Sequence, residues 1–185
     1  MHYDRGSPRV FLSPTDRLDL AAKDLEAEGK FGEAAGKRYD AAQLYEKEGA
    51  GSVAMRSYNR AATDSNEELN CIERSMGNGD LKERRKRELQ ELNYRSNLNA
   101  GRLYYANGMQ VEAAFSWCYA ARRAAELGDR IGARCLVAMA DDLFIENKAE
   151  ILPPIIHRIF REILGASNEP TTGTHSQNQG IGAQA

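Results

Sequence analysis

The chain nearly repeats itself at a spacing of 79 residues, and few architectures accommodate that. Gly29-Lys-Phe-Gly-Glu-Ala-Ala35 aligns without a gap on Gly108-Met-Gln-Val-Glu-Ala-Ala114. The register holds upstream at Ala21/Ala100 and Ala27/Ala106, and downstream at Ala41/Ala120, Ala42/Ala121, Gly49/Gly128, Ala54/Ala133 and Ala61/Ala140. Alanine coincides easily in so alanine-rich a chain, so the weight rests on Gly29/Gly108, Glu33/Glu112 and Gly49/Gly128 in one ungapped register. Duplicated helical units bury their apolar faces by stacking on their neighbours, and such chains are usually scaffolds that grip another protein.

Everything from Ser13 to Leu164 reads as helix. Alanine is abundant, valine is scarce, and no proline falls between Pro14 and Pro153, so little favours strands and nothing but glycine interrupts helices. Ser13-Pro-Thr-Asp16 supplies an N-cap, a proline at the first helical position and an acid in the first turn, opening a helix that Gly29 stops. Further helices are expected from about Phe31 to Glu48, Ser52 to Thr63, Asn66 to Met76, Asp80 to Ala106, Val111 to Leu127, Asp129 to Asn147 and Pro153 to Leu164. Asp80-Leu-Lys-Glu83 resembles a capping box. Paired in order, eight helices make an all-α, right-handed solenoid of about four antiparallel hairpins with a C-terminal capping helix, the duplication being two hairpins copied as a block.

The expected organisation is an N-terminal extension over 1–12, one helical-repeat domain over 13–165 and a disordered tail over 166–185, where Gly, Ser, Thr, Asn and Gln leave little to bury. An apolar fraction of 42% over 185 residues suits one compact core. The net charge of −2 gives no global field toward nucleic acid or an anionic membrane. MHYDRGSPRVFLSP lacks the basic and apolar regions of a secretory signal, and no window supplies the roughly 20 apolar residues of a membrane helix. Cys71, Cys118 and Cys135 are odd in number and far apart inside helices, which fits free buried thiols and a cytoplasmic location.

Two antiparallel helices approach closely only where side chains are small. Ala34, Ala41, Ala113 and Ala120 are those positions, Gly29 and Gly108 are the reversals, and Leu25, Leu103, Tyr104 and Trp117 fill the remaining space, Trp117 as core. Here the second copy resembles a tetratricopeptide repeat, through Ala100-Gly101, Tyr104, Gly108, Ala113, Trp117 and Ala120. The first copy matches more loosely through Ala21-Ala22, Leu25, Gly29, Ala34 and Ala41. Asn97 and Leu18 stand where that family favours Trp, Arg38 replaces an aromatic, and the terminal Pro is missing. Ala34-Ala-Gly-Lys-Arg-Tyr-Asp-Ala-Ala42 and Ala54-Met-Arg-Ser-Tyr-Asn-Arg-Ala-Ala62 are similar to the divergent hairpins of the soluble NSF attachment proteins, solenoids that bridge a membrane-fusion helix bundle to an ATPase.

The resemblance to tetratricopeptide repeats implies a concave groove lined by the first helix of each hairpin. Its inward positions fall on Arg95, Leu98, Asn99, Arg102 and Tyr105 in the second copy and on Lys23 and Glu26 in the first, with Asp16 and Asp19 also inward. A basic and aromatic groove of Lys23, Arg95, Asn99, Arg102 and Tyr105 suits a peptide with acidic groups. The run Lys82-Glu-Arg-Arg-Lys-Arg87 offers Lys82, Arg84, Arg85, Lys86 and Arg87 to an anionic surface, although Glu83/Arg87 and Arg84/Glu88 pairs are equally those of a solvated helix. Nucleic acid is disfavoured by the lack of an aromatic platform, and peripheral membrane contact is left open. Ile155, Ile156, Ile159, Phe160, Ile163 and Leu164 form an apolar stripe expected to cap the solenoid. His2, His157 and His175 are scattered, no metal-ligand spacing, phosphate loop or nucleophile elbow stands out, and no cofactor or enzymatic activity is expected. The leading expectation is a non-enzymatic protein-binding adaptor or chaperone. The alternatives are an adaptor in membrane trafficking or fusion like the attachment proteins, and an RNA or lipid binder acting through residues 82–87.

Overall fold

The computed structural model describes residues 12–75, 79–149 and 152–165. The described residues form seven α-helices and no strand: α1 (Pro14–Ala27), α2 (Phe31–Lys47), α3 (Gly51–Arg74), α4 (Asp80–Ala106), α5 (Gln110–Glu126), α6 (Arg130–Glu146) and α7 (Pro154–Leu164). The expected tail over 166–185 and nearly all of the expected extension over 1–12 lie outside the described residues.

Each helix packs chiefly on the next, and α7 folds back on both α5 and α6. The α1 start is as read: Ser13 Oγ accepts from the Asp16 amide at 3.0 Å, the Asp16 carboxylate accepts from the Ser13 amide at 3.2 Å, and Pro14 opens the helix. The expected box at Asp80 does not form; Gly79 holds the cap position without a side-chain bond. The stops are one recurring device. Gly29, Gly49, Gly108 and Gly128 take positive φ, and the amide after each bonds the carbonyl five residues back, as in Lys30 to Leu25 at 2.8 Å and Met109 to Tyr104 at 2.9 Å.

Two expected helices, Ser52 to Thr63 and Asn66 to Met76, are one continuous α3. The polar Thr63-Asp-Ser-Asn66 stretch does not break it because its side chains are otherwise engaged. Ser65 Oγ bonds the Ala61 and Ala62 carbonyls, Thr63 Oγ1 bonds the Asn59 carbonyl at 3.0 Å, and Asp64 is held by Arg38. The copied block is therefore three helices rather than two hairpins. A shift of 79 carries Phe31–Lys47 onto Gln110–Glu126, Gly51 onto Arg130, and Pro14–Ala27 onto residues 93–106, the second half of α4.

Ala34, Ala41, Ala113 and Ala120 are fully buried, as close helix packing requires. Trp117, 7% exposed, lies against Gly101, where an added Cβ would sit 2.5 Å from the indole ring. Ile156, Ile159 and Phe160 turn the α7 stripe inward onto a core shared with α5 and α6, where Phe144 meets Phe115 at 5.1 Å and Phe160 at 6.4 Å between ring centroids. No described helix is long and apolar enough to cross a membrane. All three cysteines are free, but only Cys118 is buried; Cys71 and Cys135 are exposed, contrary to the sequence expectation.

Candidate functional site

The five residues expected in the groove are distributed over several surroundings. Asn99 and Arg102 line a cavity of about 370 Å³ between α2, α3 and α4, together with Gln43, Glu46, Lys47 and Tyr58. Arg102 is paired there with Glu46, and Asn99 Nδ2 donates to the Tyr39 hydroxyl at 3.3 Å. Arg95 is exposed and paired with Glu91 on its own helix. Tyr105, 51% exposed, leans on Trp117 of α5 at 5.7 Å. Lys23 is exposed on α1. The structure thus brings Asn99 and Arg102 together and does not bring Lys23, Arg95 or Tyr105 into the same cavity.

The acidic inward residues of the first copy are internally engaged. Asp16 caps α1, Asp19 accepts from the Tyr45 hydroxyl at 2.9 Å, and Glu26 accepts from Arg38 at 2.5 Å. Burial, reinforced by Asp19, pushes the Tyr45 phenol up to about 12. The Arg38 guanidinium holds Glu26 below the usual carboxylate range.

A second opening has a more developed polar lining. α3 and α5 both pack on α4, and between them lies a cleft of about 420 Å³. Asn59, Thr63 and Asn66 line it from α3, Asn93 and Asn97 from α4, and Phe115, Ser116, Tyr119, Arg122 and Arg123 from α5. Its floor is fixed by buried amides. Asn93, 4% exposed, donates to the Ala62 carbonyl at 2.7 Å and accepts from Asn97 at 3.0 Å and from Arg123 at 3.3 Å. Arg123 also reaches across the cleft to Asn66 Oδ1 at 2.5 Å and pairs with Glu126, while Arg122 holds Glu126 at 3.1 Å. Asn59 Nδ2 donates to the Tyr104 hydroxyl.

These bonds lock the rotamers and still leave hydrogen-bonding capacity at the opening. Among the described residues no further partner is made by Asn59 Oδ1, Asn97 Oδ1 or Asn66 Nδ2. The lining therefore offers fixed acceptors and a donor, two guanidinium groups that share the single carboxylate of Glu126, and two aromatic rings. An opening of this kind can take a chain with alternating amide donors and acceptors and one anionic group. Sequence reasoning missed it because four asparagines over two helices make no linear motif. The available signal was spacing: Asn59/Asn66 and Asn93/Asn97 recur at i, i+7 and i, i+4, each pair on one helical face.

The basic run behaves as a helix surface with cross-braces. Arg84 meets Glu88 at 3.3 Å, Arg85 meets Glu88 at 3.7 Å, Lys86 meets Glu73 at 3.6 Å, and Lys82 Nζ donates to the Ser75 carbonyl at 2.8 Å. Arg84, Lys86 and Arg87 edge an open hollow of about 580 Å³ that Glu83 and Glu126 also line. Among the described residues no group of three His, Cys, Asp or Glu side chains is placed to hold a metal ion. No protein-family model, curated protein or solved structure matches this chain.

Proposed function

We propose that this chain is a non-enzymatic protein-binding module, a right-handed solenoid of the tetratricopeptide kind, that receives an extended segment of a partner protein in the cleft between α3 and α5. The observation that carries the reading is the buried amide floor of that cleft. Asparagines buried to 4% and 8% exposure are costly when left unbonded, and Asn93 engages both its Nδ2 and its Oδ1 while fixing Asn97 and Arg123 beside the opening. An Asn amide presents the same donor and acceptor pair as a peptide group, so a peptide main chain is the matching ligand. Arg122 and Arg123 favour a segment carrying a carboxylate, and Phe115 and Tyr119 favour an adjacent apolar side chain.

The test is to select a displayed random-peptide library on the full chain and titrate the enriched sequences by calorimetry. Arg122→Glu and Asn97→Ala are each expected to weaken the selected peptides by about tenfold or more, with helical circular dichroism unchanged. Peptides that instead lose affinity with Arg95→Glu or Arg102→Glu would move the site to the other face of α4. A library that yields no binder would reject the reading.

A further inference from the structure

One long helix, α4, covers α3, and the duplication shows what is missing at the corresponding place one unit later. Shifted by 79, residues 51–67 of α3 coincide with α6, the second half of α4 coincides with α1, and residues 80–85 of α4 coincide with the end of α7. Inside the chain α4 lies antiparallel along α3: Asn93 bonds the Ala62 carbonyl at 2.7 Å and Lys82 bonds the Ser75 carbonyl at 2.8 Å. Under that cover Met55 and Ala62 are buried. Their counterparts on α6, Arg134 and Asp141, are exposed and half-buried, and Ala138 and Ile145 beside them are exposed. On α1, Arg17 and Asp24 are exposed, although they hold the places of Ser96 and Leu103, which are buried in α4. Apart from the half-buried Asp141, these positions on α6 and α1 are exposed among the described residues.

We propose that these two faces are the two ends of one contact: a second copy of this chain lays its α1 along α6, so that α7 and the incoming α1 together supply the cover that α4 alone gives α3. The reason is complementarity at each position the duplication specifies. In the antiparallel register of α3 and α4, position 96 faces the stretch around 59–62 and position 103 the stretch around 52–55. The incoming Arg17 therefore meets Asp141, and the incoming Asp24 meets Arg134. Both are opposite charges where the internal junction has neutral residues. The polar links of the internal junction become apolar. Asn59 with Tyr104 is replaced by Ala138 with Leu25, and Asn66 with Arg123 by Ile145 with Leu44. Ile145 is a large apolar side chain left 64% exposed there. Arg, Asp and Ala on a bare end would by themselves suit a polar cap, but a cap has no need to match the opposite end in sign and size. The contact is heterologous, so copies add head to tail and the assembly grows with concentration.

Sedimentation velocity of the full chain from about 1 µM to about 1 mM at low salt reads this out. The weight-average size is expected to rise with concentration. Arg17→Asp is expected to weaken the association by about tenfold or more, and adding Asp141→Arg in the same chain to restore it. The second pair, Asp24→Arg with Arg134→Asp, is an independent repeat of the same exchange on exposed positions. A chain that stays monomeric throughout overturns the proposal. So does an association that Arg17→Asp leaves unchanged, which is the result for an α6-to-α6 dimer, or a loss that neither reversed pair repairs.

Discussion

Arg38 and Trp117 stand at one position of the duplicated frame, and each is the buried centre of its copy, one ionic and one aromatic. Arg38 is 5% exposed and is held at 2.5 Å by both Glu26 and Asp64, with Arg60 3.8 Å from Glu26. The residues 79 positions on from Glu26, Arg60 and Asp64 are Tyr105, Met139 and Leu143, and Tyr105 stacks on Trp117. The same helical frame is thus filled by a charge network once and by apolar packing the second time. Ala22 becomes Gly101 in the second copy, which makes room for the indole.

This relationship predicts an asymmetry between breaking the network and replacing it. Arg38→Leu alone strands Asp64, 3% exposed, without its counter-charge, and should cost about 3–5 kcal/mol in urea unfolding. The four-residue exchange Ala22→Gly, Glu26→Tyr, Arg38→Trp and Asp64→Leu transplants the second copy's solution and should fall within about 1 kcal/mol of the parent, or above it. If the exchange is as damaging as the single change, the two centres are not interchangeable. Gly101→Ala probes the aromatic side of the same comparison, and overpacking against the indole should cost about 1–3 kcal/mol.

Acid should loosen the first copy through Glu26. Hydrogen bonding to Arg38 lowers its folded pKa below the ordinary 4.5. Its contribution is therefore present above that value and lost as pH falls through the lowered one. Asp64 acts in the opposite sense, because burial raises its pKa against the pull of Arg38, and the strain of its charge is relieved on protonation. Comparing parent with Glu26→Gln isolates the first effect. Urea midpoints of the parent should drop toward those of the variant as pH is lowered from about 5 to about 3, and parallel curves would show that Glu26 contributes nothing.

The helical frame was legible because its causes are local. Turn glycines, the Ser13 cap and the alanine seams act over one or two turns, and the 79-residue register follows from them. The one misplaced boundary, at Thr63 to Asn66, arose where side chains that ordinarily compete with a helix are satisfied by the helix itself or by Arg38. The candidate site was less legible because it depends on which faces meet. Asn99 and Arg102 are one turn apart on α4, but their position in a cavity shared with α2 depends on Tyr39 and Glu46, some 60 residues away in sequence for Asn99 and Tyr39. Asn97, noted only as standing where an aromatic was expected, forms part of the amide floor.

Thiol reactivity should divide the cysteines two to one. Cys71 and Cys135 are exposed, whereas burial pushes the Cys118 thiol up to about 12, with Asp141 adding to the effect. A thiol so disfavoured as thiolate reacts slowly even where a reagent can reach it. At pH 8, iodoacetamide should label two sites in the folded chain, and mass mapping should find Cys118 labelled only after denaturation. Rapid native labelling of Cys118 would mean that α5 opens from its neighbours on the labelling timescale.

Lys148 breaks the pattern of the helix stops, and that makes it improvable. Like Gly128, it follows a helix C-cap with positive φ, here 52°. The bonds are also alike: Ala149 to Phe144 at 3.0 Å and Lys148 to Ile145 at 3.1 Å match Asp129 to Ala124 at 2.8 Å and Gly128 to Ala125 at 3.0 Å. A side chain in this left-handed region costs about 1–2 kcal/mol of steric strain. Glycine removes that strain but loses more entropy on folding, so Lys148→Gly should gain a net of about 0.5–1 kcal/mol. For a chain of this size the gain corresponds to a rise of roughly 1–4 °C in Tm, measurable by calorimetry. The reciprocal Gly128→Lys, which imposes the strain where it is now absent, should lower Tm by a similar amount. A Lys148→Gly variant that melts earlier would show that the lysine side chain contributes more to this turn than its backbone geometry costs.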